Sequence, residues 1–546
     1  MGSPSGPSWS ARGAFAMRLN TLMDALRHPE AFPPPRAARV EVIQTHISVV
    51  FLVGDQVYKL KKPLDLGFVD CSTLEKRAHL CHEEVRLNRR LAPEVYRGVL
   101  PVTRDAEGRV AVGGSGEVVD HVVWMRRVPW EATLEHRLEQ GQVSVGDVEA
   151  LARRLAAFHE AAAQSAAIAR GGSWETVAGN YRENFEQTRA SVGDLVSEAL
   201  FAEVEAHGER ELRARRPLIE ARAAAGAPRD THGDLRLEHV YLFPEREPPG
   251  DIVIIDCVEF NARFRHADPV ADLAFLGMEL MARHHEGLAE ALASAWFEAM
   301  GDPEGEALWT LYLSYRALVR AKVDGIRASE PEVPEADRLR ARERARSRWL
   351  LAWSLLAPPA RRPCLVLTAG PPAAGKSTLS RALASAAGFE VLRSDEIRKR
   401  LAGLDPLEDA SEAWGEGIYA PQRSEATYDA MREQAREALL EGRRVLVDAG
   451  FRREHRRAPF IAMATALCVP VVLFVCRATP ETTRARLAAR DHDASDADWR
   501  VYQRAAARWQ ESTAAPGVEV VTLSTEPDAP DALTAALARL RGRGVL

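Results

Sequence analysis

A chain of 546 residues is longer than one ordinary core accommodates, since domains cluster at roughly 100 to 200 residues, so more than one folded unit is expected. Apolar residues at 46% and charged residues at 27% match ordinary globular composition and exclude fibrous and disordered classes. The 72 basic against 78 acidic residues leave a net charge of −6, which excludes a global basic field for a nucleic-acid backbone and leaves that partner only a local patch.

Residues 1–18 are rich in Gly, Ser and Pro and lack an apolar signal core, so a disordered tail without export function is expected, with Met17 as an alternative start. No apolar run approaches the roughly 18 residues of a membrane span, which points to a cytoplasmic protein without membrane contact. The six cysteines form no C-x-x-C pair and read as buried reduced thiols. Only seven of the basic residues are lysines (Lys59, Lys61, Lys62, Lys76, Lys322, Lys376 and Lys399), so each persists where a compact point charge has a use.

The first predicted element group, about 36–128, is a small β-rich lobe: IQTHISVVFLVGD and QVYKLKKP alternate like a hairpin around Gly54-Asp55, followed by a helix over Leu74 to Leu91. From 129 to 356 the pattern is helical, interrupted at 231–259 by loops and strands. The charged run at 338–348 reads as a solvated helix face rather than a nucleic-acid patch. The segment APPARRP at 357–363 cannot continue a helix through its prolines and is taken as the linker between a domain at 19–356 and another at 364–546. Beyond it, CLVLTA, EVLR, RVLVDA, PVVLFVC and VEVVTL alternate with helical stretches, the pattern of a mostly parallel sheet flanked by helices.

In the first domain, Thr231-His-Gly-Asp-Leu and the strand IVIIDC place Asp234 and Asp256 on loop and strand ends close in sequence. Phosphoryl transfer needs such a pair, one carboxylate orienting an acceptor hydroxyl and taking its proton, the other carrying the metal. These motifs, with Asp268-Pro-Val-Ala-Asp272, resemble the aminoglycoside phosphotransferase and choline kinase group of protein-kinase-like folds. The resemblance implies a bilobal α+β domain, Asp234 as catalytic base, Asp256 as magnesium ligand and His232 as a brace of the loop. It also implies a small-lobe lysine on the ATP phosphates held by a glutamate, for which Lys59, with Lys61 on the same strand face, and Glu84 or Glu83 are the natural candidates. The family's second metal ligand, an Asn, is here His239, whose imidazole suits hard Mg²⁺ poorly.

In the second domain, Gly370-Pro-Pro-Ala-Ala-Gly375-Lys376-Ser377-Thr378 fits G-x-x-x-x-G-K-[ST] between a strand and a helix, a phosphate cradle for ATP or GTP. Lys376 would bridge the terminal phosphates and Ser377 would ligate magnesium. Asp395 is placed to take a hydroxyl proton, Arg398 to pin an acceptor anion and Asp448 to hold Mg²⁺. Among Arg484, Arg486 and Arg490, the last two are the candidates to cover the phosphates as charge builds. This set resembles the P-loop kinases of the polynucleotide kinase, zeta toxin and gluconate kinase group, often labelled AAA-type ATPases.

Together these expectations describe a multidomain α+β and α/β protein using Mg²⁺ and ATP to phosphorylate a hydroxyl of a small molecule, with one or both domains active. Two other readings remain open at this point: a nucleic-acid end kinase, and a nucleotide-switched binding protein whose first domain is degenerate.

Overall fold

The computed structural model describes all residues except 1–18, 35–37, 68, 406–416, 490–496 and 513–514, so the expected tail lies outside the described residues. The chain forms two compact units: 1–176, 219–276 and 291–303 make the first, and 177–218, 277–290 and 304–546 the second.

In the first unit, β1 (Glu41–Gln44), β2 (Ser48–Val53), β3 (Gln56–Lys61), β4 (Tyr96–Arg104), β5 (Val110–Val112) and β6 (Glu117–Arg126) form one sheet in the order β1-β2-β3-β6-β4-β5. Every pairing in it is antiparallel. The β2–β3 hairpin turns at Gly54, whose φ of 63° suits a tight reversal, and pairs Val50 with Lys59. Val49, Phe51, Val53, Tyr58, Leu60 and Val122 are buried in one core cluster, as period-two alternation requires. Helix α1 (Leu74–Asn88) starts on Thr73, whose side chain accepts from Lys76 N, and buries Leu80, Cys81, Glu84 and Val85. Helix α2 (Val145–Ala161) opens with a Ser144–Asp147 capping box. The short antiparallel pairs β7 (Arg229–Asp230) with β10 (His266–Ala267), and β8 (Val240–Leu242) with β9 (Ile252–Ile254), frame the expected catalytic segment ahead of α3 (Pro269–Met281).

The second unit holds a five-stranded parallel sheet in the order β12-β13-β11-β14-β15, with β11 Leu365–Ala369, β12 Glu390–Arg393, β13 Val445–Asp448, β14 Val471–Arg477 and β15 Val518–Ser524. Its central strands are buried along their whole length, as in a sheet covered on both faces. All five apolar runs identified in the sequence are strands of this sheet. The helices of the unit include α4 (Glu335–Leu356), α5 (Lys376–Ala387), α6 (Ser394–Leu401), α7 (Pro421–Leu440), α8 (Glu454–Ala466), α9 (Pro480–Ala488), α10 (Trp499–Ala507) and α11 (Ala532–Gly542).

The compact units do not follow the division expected at 357–363, because α4 and its neighbours group with the parallel sheet. Helix α4 buries Trp349, Leu350 and Trp353, and its Glu343 accepts from Arg436 of α7 at 2.7 Å. The proline-rich segment is no free linker: Pro359–Arg361 is a 3-10 turn, Arg361 donates to Glu203 at 2.6 Å, and Arg362 donates to the Gly544 carbonyl at 2.9 Å. Proline stopped the helix without releasing the chain. The basic run on α4 is an ion-paired face, with Arg344 on Asp324 at 2.8 Å and Arg342 on Asp194. All six cysteines are buried and unpaired, and among the described residues no helix is long and apolar enough to cross a membrane.

Candidate active sites

The first unit gathers Lys59, Glu84 and Asp256 from a strand, a helix and a loop. Lys59 Nζ lies 2.9 Å from Glu84 Oε1 and donates to Asp256 Oδ1 at 2.8 Å. Of the two candidate glutamates, Glu84 faces inward, whereas Glu83 pairs with Arg86 near the surface. Two positions along the same strand face, Lys61 donates to Glu84 Oε2 at 2.7 Å and to Glu259, so Glu84 is shared by two ammonium groups. Burial opposes charge on Lys59, yet Asp256 and then Glu84 outweigh it and keep the amine protonated. Enclosure likewise opposes ionisation of Asp256, and Lys59 followed by His239 overcomes it, holding the carboxyl below the usual range. Asp256 sits at φ 66°, an uncommon conformation for a non-glycine residue and one that turns the chain straight after β9.

The catalytic segment is braced from beneath. Asp272 of α3 accepts from the backbone N–H groups of His232 at 2.9 Å and Gly233 at 2.8 Å, and lies 3.1 Å from His159 Nε2. Trp296 Nε1 donates to His159 Nδ1, which assigns the Nε2–H to Asp272. His232 Nε2 donates to the Ile255 carbonyl and its Nδ1 accepts from Asp234 N, so both ring nitrogens serve the loop that carries Asp234. Burial pushes the His232 pKa down to about 4. His239 Nδ1 donates to the Asp234 carbonyl at 2.9 Å, leaving Nε2 3.6 Å from Asp256 Oδ2. The oxygens of Asp234 and Asp256 fit a magnesium ion that shares its shell with phosphates; the His239 nitrogen is a better donor for a softer cation.

In the second unit the glycine-rich turn joins β11 to α5. Gly370 has φ 145°, and a Cβ there would lie 2.5 Å from the Cys476 carbonyl oxygen, so only glycine fits. Gly375, at φ 84°, leads into Lys376, the first residue of α5, whose ammonium donates to the Pro371 carbonyl at 2.8 Å across the turn. Ser377 hydrogen-bonds Asp448 at the end of β13, and Thr368 donates to Asp448 Oδ1 at 3.4 Å. Burial pushes the Asp448 pKa up, opposed by Lys376 and the Ser377 hydrogen bond. A buried carboxylate touching a hydroxyl at a helix N-terminus is a hard-oxygen donor set that fits Mg²⁺. Among the described residues no group of three or more His, Cys, Asp or Glu side chains is set to hold a metal.

Gly370, Gly375, Lys376, Ser377 and Asp448 line a cavity of about 1310 Å³, together with Thr378, Asp395, Arg398 and Arg486. Two of the expected arginines are engaged at its wall. Arg398 donates to Asp395 at 2.5 Å and lies over the Tyr419 ring at 4.8 Å, so it steadies Asp395. Arg486 donates to the Ala373 carbonyl at 3.3 Å and to Thr525 Oγ1 at 3.0 Å, so it ties the phosphate turn to the segment after β15. Arg490 lies outside the described residues. Sequence reading missed Glu259 in the first unit and, on this cavity, Thr525 and a set of arginines, Arg452, Arg453, Arg456 and Arg508. The only sequence signal for the last set was the Arg452-Arg453 pair just beyond the strand ending in Asp448.

Comparison with known proteins agrees with this division of chemistry. The Phosphotransferase enzyme family model matches residues 68–309 and the AAA domain model matches 365–514. Proteins of Mycobacterium tuberculosis and Mycobacterium bovis, each described as an uncharacterized protein, are 30% identical over 479 residues, covering 88% of this chain and 92% of theirs. Among solved structures, a choline/ethanolamine kinase family protein from Mesorhizobium loti aligns over 61% of this chain and 98% of its own, at 15% identity and a TM-score of 0.31. A gluconokinase from Sinorhizobium meliloti aligns over 33% and 94%, at 18% identity and a TM-score of 0.24.

Proposed function

Because the chain belongs to the family of these mycobacterial proteins, joining a phosphotransferase-family domain to an AAA-type P-loop domain, we propose that it moves the γ-phosphate of Mg-ATP to a hydroxyl of a small molecule in the cytoplasm. The observation that carries this reading is the convergence of Lys376, Ser377 and Asp448 at the mouth of α5. That arrangement has the cation, the hydroxyl and the carboxylate that a nucleotide triphosphate needs. Bound magnesium would neutralise charge on the phosphates. Asp395 receives the acceptor proton as the new P–O bond forms and the bond to the bridging oxygen breaks, releasing ADP. In the first unit Asp234 has the same role, with Lys59 on the phosphates and Asp256 on the metal.

His239, in place of a metal-binding Asn, favours one further reading, in which the first unit binds nucleotide without transferring phosphate. Transfer of label from [γ-³²P]ATP to a small-metabolite fraction tests both, comparing the unaltered chain with Lys376→Ala and Asp234→Ala. Loss of a distinct product in each variant supports two kinases. Loss with Lys376→Ala alone makes the first unit a binding unit, and unchanged labelling in both contradicts the kinase reading.

A further inference from the structure

Lys61, in a chain with only seven lysines, is 1% exposed, although a lysine is almost never enclosed unless it is paired. Its ammonium donates to Glu84 Oε2 at 2.7 Å and to Glu259, and both carboxylates are buried. With the contacts of Lys59 to Glu84 and Asp256, this makes one alternating run of charges: Asp256, Lys59, Glu84, Lys61 and Glu259. The two lysines are not equivalent. Lys59 is 13% exposed and touches Asp256, which is 43% exposed, so Lys59 stands toward the mouth of the site and Lys61 behind it.

Stability alone does not call for the inner pair. Each enclosed charge gives up its water, and apolar side chains of similar volume in place of Lys61 and Glu259 would hold the fold about as well. An apolar pair would not, however, fix carboxylate oxygens. Lys61 holds Glu84 Oε2 while Lys59 lies against Oε1, so the carboxylate on α1 is oriented through both of its oxygens. Lys61 also holds Glu259, on the segment that follows Asp256. A second tie runs alongside: Asn88 Nδ2 donates to the Glu84 carbonyl at 2.9 Å, and Asn88 Oδ1 accepts from Cys257 N at 2.9 Å. The helix that carries Glu84 and the segment that carries Asp256 are thus set against each other through side chains and backbone.

Resting on the nucleotide-binding role given to Lys59 and Asp256 above, we propose that Lys61 and Glu259 are positioning residues of the first unit, which fix Glu84, and through it Lys59, relative to Asp256. They act through these neighbours. Loss of the pair then loosens Lys59 at the nucleotide site without unfolding the unit.

The test measures Tm and the affinity for Mg-AMP-PNP in the full chain carrying Lys376→Ala, which weakens the second site. Lys59→Ala in that background marks the part of the binding that belongs to the first unit. Lys61→Met is expected to lower both Tm and affinity, because it leaves Glu84 and Glu259 with one cation fewer. Lys61→Met combined with Glu259→Met removes one cation and one anion, keeps the net charge of the cluster and refills the volume, so Tm is expected to return close to that of the background chain. Affinity is expected to stay roughly tenfold to hundredfold below it, the range for losing a group that orients a ligand-holding side chain.

Affinity that recovers together with Tm in the double variant overturns the proposal and makes Lys61 and Glu259 purely structural. A double variant that does not fold overturns it in the same way. In both cases loss of binding in Lys59→Ala leaves the nucleotide reading of the first unit standing. If Lys59→Ala leaves binding unchanged, that reading fails and this proposal with it.

Discussion

Lys59 and Asp256, 197 positions apart in the chain, meet at 2.8 Å, and Glu84 holds the same lysine from its other side at 2.9 Å. One ammonium thus fixes a strand, a helix and the loop after β9. Removing it in Lys59→Ala leaves two carboxylates facing each other with one cation fewer, which is expected to cost about 3 kcal/mol, at the low end for breaking a buried ion pair. Urea unfolding followed by a probe in the first unit measures the loss, and Lys59→Arg is expected to restore only part of it because the fork does not reproduce the point contact.

The pH dependence of the first unit has a definite sign. His232 is held neutral down to about 4, while an unfolded histidine titrates near 6.5. Below about 6.5 the unfolded chain takes up a proton that the native chain refuses, so this stabilisation is complete above that pH and is lost as pH falls from 6.5 to 4. The loss amounts to at most about 3 kcal/mol. The Tm difference between the unaltered chain and His232→Gln is expected to narrow between pH 7.5 and pH 4.5; a constant difference would contradict the assignment.

Asp448 and Ser377 are joined by a hydrogen bond at the proposed magnesium position. Asp448→Asn is therefore expected to weaken nucleotide binding roughly tenfold when Mg²⁺ is present and to leave it unchanged in EDTA, by loss of one charged ligand. Isothermal titration in the two buffers separates these outcomes.

His239 presents its Nε2 beside Asp256 at 3.6 Å, where the resemblance calls for an amide oxygen. His239→Asn is expected to shift the Mn²⁺ to Mg²⁺ ratio of nucleotide affinity at the first unit toward Mg²⁺, by roughly tenfold, because it exchanges a borderline nitrogen donor for a hard oxygen. The measurement is nucleotide binding in a Lys376→Ala background with each metal in turn.

Local signals made the P-loop legible, since a contiguous motif between a strand and a helix forms the site by itself. Lys59, Asp234 and Asp256 were nominated from short local motifs, VYKLK, HGDL and IVIID, which need no knowledge of the fold. The choice of Glu84 over Glu83 was not, because it depends on which way α1 turns its face toward β3. The Lys61–Glu259 pair spans 198 positions and has no local trace. Arg452, Arg453 and Arg508 were hidden because arginine is the default cation of this chain, and the first two also follow a left-handed residue, Phe451, that no propensity favours. The proline-rich 357–363 segment read as a linker because proline reports where a helix stops and says nothing of what the next residues pack on.

The central claim is that phosphate goes to an organic acceptor and not to water. Its most direct measurement is the balance between ADP formed and inorganic phosphate released when the full chain turns over Mg-ATP with a small-metabolite fraction. The account predicts more ADP than inorganic phosphate, with the difference recovered as phosphorylated product and absent in Lys376→Ala combined with Asp234→Ala. ADP and inorganic phosphate in equal amounts would contradict it and make the chain a nucleotide-hydrolysing switch.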